Sequence, residues 1–205
     1  MNDAEAAAYV ARVLPELTPA QSQFGRSVWR FETSYSAGWV ALARKMGAPE
    51  PEVFSRVNNW GAITAIDPAK GGTRPAFFMR DRWWRIYETP EEGLRDAAAQ
   101  LFKANVRAAL GKGDGSAAVH AMASNKYFIE PGISVSIQER SYKSNIAKNY
   151  DDILRSTGEP KLLTFGASTG TGLLEAVTGA LFVGGLLALI YTFGSGTEGK
   201  GDQQS

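Results

Sequence analysis

The sequence predicts a mostly α domain of the α+β class, with one small β-hairpin, followed by a single C-terminal transmembrane helix. Three observations predict it. Helix-start signals recur along residues 1–155, each followed by apolar residues at helical spacing. The stretch 58–86 interrupts them with Pro68, Gly71, Gly72 and Pro75, and reads as loops with short strands. The run 172–193 carries one charge, Glu175, near one end.

The elements follow in order. Residues 3–14 read as a short amphipathic helix, with Asp3 as N-cap and Pro15 just past its end. Thr18-Pro19 opens a second helix, an N-cap followed by proline at the first helical position. Phe24, Val28 and Phe31 then fall on one face, which puts Glu32 near the C-terminal end of that helix and facing the core. Residues 36–47 form a third helix stopped by Gly47, and a short helix over 51–57 follows Pro49-Glu50-Pro51. Residues 63–66 and 84–87 are the best strand candidates, paired as a hairpin. Thr89-Pro90-Glu91-Glu92 starts a helix that should run to about Leu110, where Gly111-Lys112-Gly113-Asp114-Gly115 stops it. Two further helices are expected over 116–124 and 134–154.

The predicted domain boundaries are 1–155 for the globular domain, 156–171 for a flexible linker rich in Gly, Ser and Thr, 172–193 for the transmembrane helix and 194–205 for a polar tail. A helix of that apolar length spans about 33 Å, close to the thickness of a bilayer's hydrocarbon core. Ala176, Ala180, Gly184 and Ala188 recur every fourth residue and form a small-residue ridge suited to helix–helix contact in a membrane. A buried core helix is the alternative reading of the run.

Composition bounds the chemistry. The chain of 205 residues has a net charge of +1, which offers no reason to expect a nucleic-acid partner. It has no cysteine, which excludes disulfides and Cys-based zinc sites, and its only histidine is His120. No metal or cofactor is expected. Met1-Asn2-Asp3-Ala4-Glu5 has neither a basic nor an apolar stretch and does not look like a secretory signal.

Glu32, within Phe31-Glu32-Thr33-Ser34-Tyr35-Ser36, is the candidate catalytic residue. A carboxyl beside aromatic rings can be kept protonated by desolvation and so serve as a general acid. Asn58, Asn59 and Trp60 are candidate sugar-contact residues, since amides and a flat indole suit a pyranose ring. Candidates for a second acid are Asp67 and Asp81, which lie in the loop region expected to border the cleft, with Glu50 and Glu52 behind them. Arg80, Asp81, Arg82 and Arg85 form a charged cluster able to meet acidic groups on a substrate.

The order Glu32-Thr-Ser-Tyr-Ser, Asn58-Asn59-Trp60-Gly61-Ala62-Ile63, Trp84 to Gly93, then Ala121 to Tyr127 resembles the lysozyme-like glucosaminidase and muramidase family of peptidoglycan hydrolases, over about residues 20–150. The resemblance implies a lysozyme-like fold and a glycosidase that binds peptidoglycan, with Glu32 as the acid and Tyr127 near it. The aspartate-proline pair expected before that tyrosine is replaced by Ser124-Asn125-Lys126, and no second carboxylate is forced. A lytic transglycosylase using Glu32 alone is therefore a second reading, and a non-catalytic wall-binding or structural membrane protein a third. A C-terminal anchor without a leader would leave the domain in the cytoplasm while its substrate lies outside. Delivery on the membrane of a bacteriophage virion, for host entry or lysis, would resolve that conflict.

Overall fold

In a computed structural model of the protein, described for residues 1–48, 50–79 and 82–166, seven α-helices and one two-stranded antiparallel sheet are found among the described residues. The helices are α1 (Asp3–Val13), α2 (Pro19–Thr33), α3 (Gly38–Lys45), α4 (Pro90–Leu101), α5 (Ala104–Gly111), α6 (Gly115–Ser124) and α7 (Val135–Thr157). The strands are β1 (Ala76–Met79) and β2 (Arg82–Arg85). The predicted mostly helical class with a small β-hairpin is therefore present. No helix among the described residues is long and apolar enough to cross a membrane. The segment 172–193 proposed for that role, its small-residue ridge and the tail 194–205 lie outside the described residues.

The start signals act as their chemistry requires. The Thr18 hydroxyl accepts from the Gln21 amide while the Gln21 side chain accepts from the Thr18 amide, so two orphan donors of α2 are satisfied at once. Thr89 caps α4 by accepting from the Glu92 amide, with Pro90 at the first position. At α1 the cap is Asn2 rather than the expected Asp3, in a reciprocal pair with Glu5. Asp3 is left free to hold Arg30 and to accept from the Tyr35 hydroxyl.

Two expectations are corrected. The single helix expected over residues 90–110 is two helices. The chain turns at Phe102, whose ring is buried edge-on against Trp29 and whose carbonyl accepts from the Arg107 guanidinium. The hairpin joins β1 to β2, with Ala76 opposite Arg85 and Met79 opposite Arg82, instead of joining 63–66 to 84–87. Residues 63–65 lie along the other edge of β2 through one bridge between Thr64 and Trp84. The bridge is made by the Arg85 amide donating to the Ile63 carbonyl and the Ala65 amide donating to the Trp83 carbonyl, while the Asn59 side chain accepts from the Ile63 amide and shares its carbonyl.

Two apolar cores result. The larger gathers α1, α2 and α4 to α7 around Phe24, Val28, Trp29, Trp60, Leu94, Leu101, Met122, Tyr142 and Ile146. The smaller packs α3 beneath the hairpin through Trp39, Leu42, Val57, Met79 and Trp84. A cleft runs between the two lobes.

The stretch 156–166 is not the free linker its composition suggested. Thr157 closes α7, Gly158 caps it in the left-handed region, and residues 159–166 strap back over the helical lobe. The Glu159 carboxylate meets the buried Arg26 guanidinium at 2.5 Å, and the Leu163 side chain is fully buried. The Tyr150 hydroxyl accepts from the amides of Leu162 and Leu163 and donates to the Gln23 amide oxygen. Thr164 forms a short parallel bridge to Asp114. A fragment ending at residue 158 should accordingly melt well below one ending at residue 166. Leu163→Ala should cost about 2–5 kcal/mol in denaturant unfolding, the usual range for emptying a buried leucine site.

Candidate active site

Glu32 occupies the last turn of α2, where the helix passes α7. It is 6 % exposed and lines the cleft, which encloses about 540 Å³. Other walls come from Gly61 to Thr64, from Arg82, Trp84 and Arg85 on β2, from Gln100 and Lys103, and from the loop between α6 and α7.

Two phenols hold the carboxyl from a great distance in sequence. The Tyr142 hydroxyl, on α7, donates to Oε1, and the Tyr127 hydroxyl donates to Oε2 at 3.1 Å. Burial pushes the Glu32 pKa up to about 8, against the opposing pull of the hydrogen bonds from Tyr142 and Tyr127, which favour the ionised form. Both phenols are in turn driven well above the usual tyrosine range, first by burial and then by the neighbouring Glu32, so they remain donors. The group is thus protonated at neutral pH and has two donors in place to receive the charge left when its proton departs.

The backbone around it is held in costly conformations. Ser34, Tyr35 and Ser36 are consecutive non-glycine residues with φ of 48°, 57° and 75°. A left-handed residue with a Cβ costs roughly 1–2 kcal/mol. The Thr33 hydroxyl offsets part of this: it donates to the Trp60 carbonyl at 2.7 Å and accepts from the Ser36 amide at 3.0 Å. Asn58, Ala62 and Lys126 also have positive φ, and Ala62 and Lys126 line the cleft.

The loop carrying Tyr127 is fixed by a residue no motif pointed to. Gln138, 1 % exposed on α7, donates to the carbonyls of Glu130 and Ile133 and accepts from the Glu130 amide. Phe128 stacks on Tyr142 with ring centroids 4.0 Å apart. Arg85, a lining residue, is held by Asp96, which accepts from it at 2.5 Å and from the Tyr87 hydroxyl at 2.6 Å. Its pKa is raised by burial but lowered overall by the hydrogen bonds from Tyr87, Gln100 and Arg85.

The sequence-derived residues divide. Glu32 and Tyr127 meet in the cleft. Asn58, Asn59 and Trp60, expected to touch sugar, do not line it. Trp60 is core, 1 % exposed and stacked on Tyr9 at 5.5 Å. Asn59 is fully buried, and its side-chain amide donates to the carbonyls of Ile63 and Arg85 while its backbone carbonyl accepts from the Trp39 indole. Asn58 donates to the Tyr87 carbonyl. All three are spent on shaping the loop that forms one wall. Asp67 is not among the lining residues, and its carboxylate caps a short turn by accepting from the Ala69 amide. Asp81 lies outside the described residues. Sequence reasoning missed two groups. Tyr142 is the tyrosine of an apolar helix face, and a buried phenol needs a partner. Glu130 lines the cleft, where its carboxylate takes both terminal nitrogens of Arg82, at 2.7 and 2.8 Å.

Comparison with protein-family models, with curated proteins and with solved structures finds no match for the chain.

The raised pKa fixes the sign of a stability test. Between about 4.5 and about 8 the folded state holds a proton on Glu32 that the unfolded chain has lost, so wild-type stability falls as pH rises through that window. Glu32→Gln should remove this dependence, whose slope approaches about 1.4 kcal/mol per pH unit for one proton. Parallel denaturant titrations of the two proteins check it. Tyr142→Phe deletes a donor to the ionised form and should move the Glu32 midpoint further up, read by carboxyl carbon NMR.

Proposed function

We propose that the protein cleaves the glycan strand of peptidoglycan, with Glu32 as the general acid on a lysozyme-like scaffold. The observation that carries this reading is a carboxyl protonated at neutral pH at the wall of an open cleft, backed by two phenolic donors. In the proposed step the Glu32 proton passes to the glycosidic oxygen as the bond from that oxygen to the anomeric carbon breaks. The leaving strand departs as an alcohol, the anomeric carbon takes on oxocarbenium character, and Tyr142 and Tyr127 stabilise the new carboxylate.

One observation favours a route that needs no second free acid. Of the described residues lining the cleft, Glu130 is the other carboxylate, and Arg82 engages both of its oxygens. In a lytic transglycosylase the sugar's own hydroxyl attacks the anomeric carbon, closing an anhydro ring and returning its proton to the Glu32 carboxylate. Glu32 is then ready for another turn. The apolar run 172–193 is proposed as a membrane tether that keeps this domain near the wall, on the strength of its length and single charge.

Digestion of purified peptidoglycan by the full-length protein, with products read by mass spectrometry, tests both routes. Anhydro ends that vanish in Glu32→Gln identify the transglycosylase route, and reducing ends that vanish identify hydrolysis. The variant should lose about 10²–10⁴-fold in rate. Wild-type activity should decline as pH rises through about 8, where the acid loses its proton. A folded wild type that yields no products would sink the enzyme reading and leave a wall-binding protein.

A further inference from the structure

Charge on the walls of the cleft does not cancel. Of the described lining residues, Arg82, Arg85, Lys103 and Lys126 are cationic. Arg82 is matched by Glu130 and Arg85 by Asp96. Glu32 contributes no negative charge at neutral pH, because burial keeps it protonated. Lys103 and Lys126 remain, both exposed, and their ammonium groups meet no carboxylate among the described residues.

These two lysines belong to one wall. Lys103 stands at the turn between α4 and α5, and Lys126 directly follows the C-cap of α6. The turns are clamped together by their amides: Asn105 donates to Asn125 at 3.2 Å, and Asn125 donates back at 2.9 Å. Lys126 is held at φ 58°, a conformation a lysine seldom adopts. Two cations that meet no carboxylate among the described residues, carried on linked turns that both line the cleft, attract a ligand that carries anions.

We infer that Lys103 and Lys126 bind carboxylate substituents of the glycan, so that the cleft prefers an acidic strand over a neutral strand of the same backbone. This rests on the glycan-cleft reading above and adds the substrate's charge to it. Such carboxylates can sit on the sugar itself or on a peptide attached to it, and the chemistry of recognition is the same for both.

The test measures binding rather than cleavage. Full-length Glu32→Gln protein is titrated calorimetrically with peptide-free acidic strands and with peptide-bearing strands, each before and after their carboxyls are converted to neutral amides. Acidic strands should bind about tenfold more tightly than amidated ones, the scale expected of two exposed charge pairs. The preference should collapse when Lys103→Gln and Lys126→Gln are added and persist in the double arginine variant. A preference seen only with peptide-bearing strands supports the inference and places the carboxylate on the peptide. Equal binding of acidic and amidated strands, with and without attached peptide, overturns the inference while leaving the glycan reading intact. Failure of a protein that melts normally to bind any strand overturns both.

Discussion

Glu32 keeps a carboxyl out of water at the seam where α2 passes α7, and most of the molecule is arranged around that desolvation. A buried acid with no partner would be displaced to the surface or would unfold its helix. Here the phenols of Tyr142 and Tyr127 give it partners without giving it a charge to pair with. An arginine in either place would have ionised the carboxyl at neutral pH and ended its use as an acid. Tyrosine is the side chain that satisfies the oxygens and leaves burial in control of the proton. Each supporting layer follows from that choice. Phe31 and Phe128 pack edge-on and face-on against Tyr142, and Gln138 pins the loop that brings Tyr127 in.

The strained backbone is grouped around the same place. Among the described residues, the non-glycine positions with positive φ are Ser34, Tyr35, Ser36, Asn58, Ala62 and Lys126. Three begin two residues after Glu32, and the other three lie in the two loops that enclose the cleft. Such conformations persist only where surrounding contacts over-determine them. The Thr33 hydroxyl, the Asn59 amide and the buried ring of Trp60 do so here. Gly93 makes the loop's close approach possible, since a Cβ there would lie 1.7 Å from the Asn58 carbonyl oxygen.

What the sequence made legible is what local chemistry determines. Thr18-Pro19 and Thr89-Pro90 announce their helices because caps are satisfied within a few residues. Glu32 could be singled out because its aromatic neighbours are adjacent in sequence. The rest depends on distant partners. Tyr142 meets Glu32 across 110 residues, and Asn59 spends its amide on Arg85, 26 residues away. Asn58-Asn59-Trp60 carried the residue types that suit a sugar, yet those same types suit a loop that must satisfy its own backbone. The break at Phe102 has no glycine or proline to mark it and follows from where its ring is buried. Likewise, the small polar residues near 156–166 mask Leu163 and Phe165, whose packing partners lie on α6 and α7.

The strap over the helical lobe also sets the path by which force enters the domain. A pull on the chain beyond residue 166 would first meet the Gly166 amide, bonded to the Ser116 hydroxyl, and then Thr164, whose amide donates to the Gly113 carbonyl and whose carbonyl accepts from the Gly115 amide at the head of α6. Behind that bridge stand the buried Leu163 and the Tyr150 hydroxyl that grips two successive amides. Load would peel these attachments before it reached the end of α7, and Tyr142 lies four turns farther in. Those attachments stand in series between a pull at residue 166 and the helix that carries Tyr142.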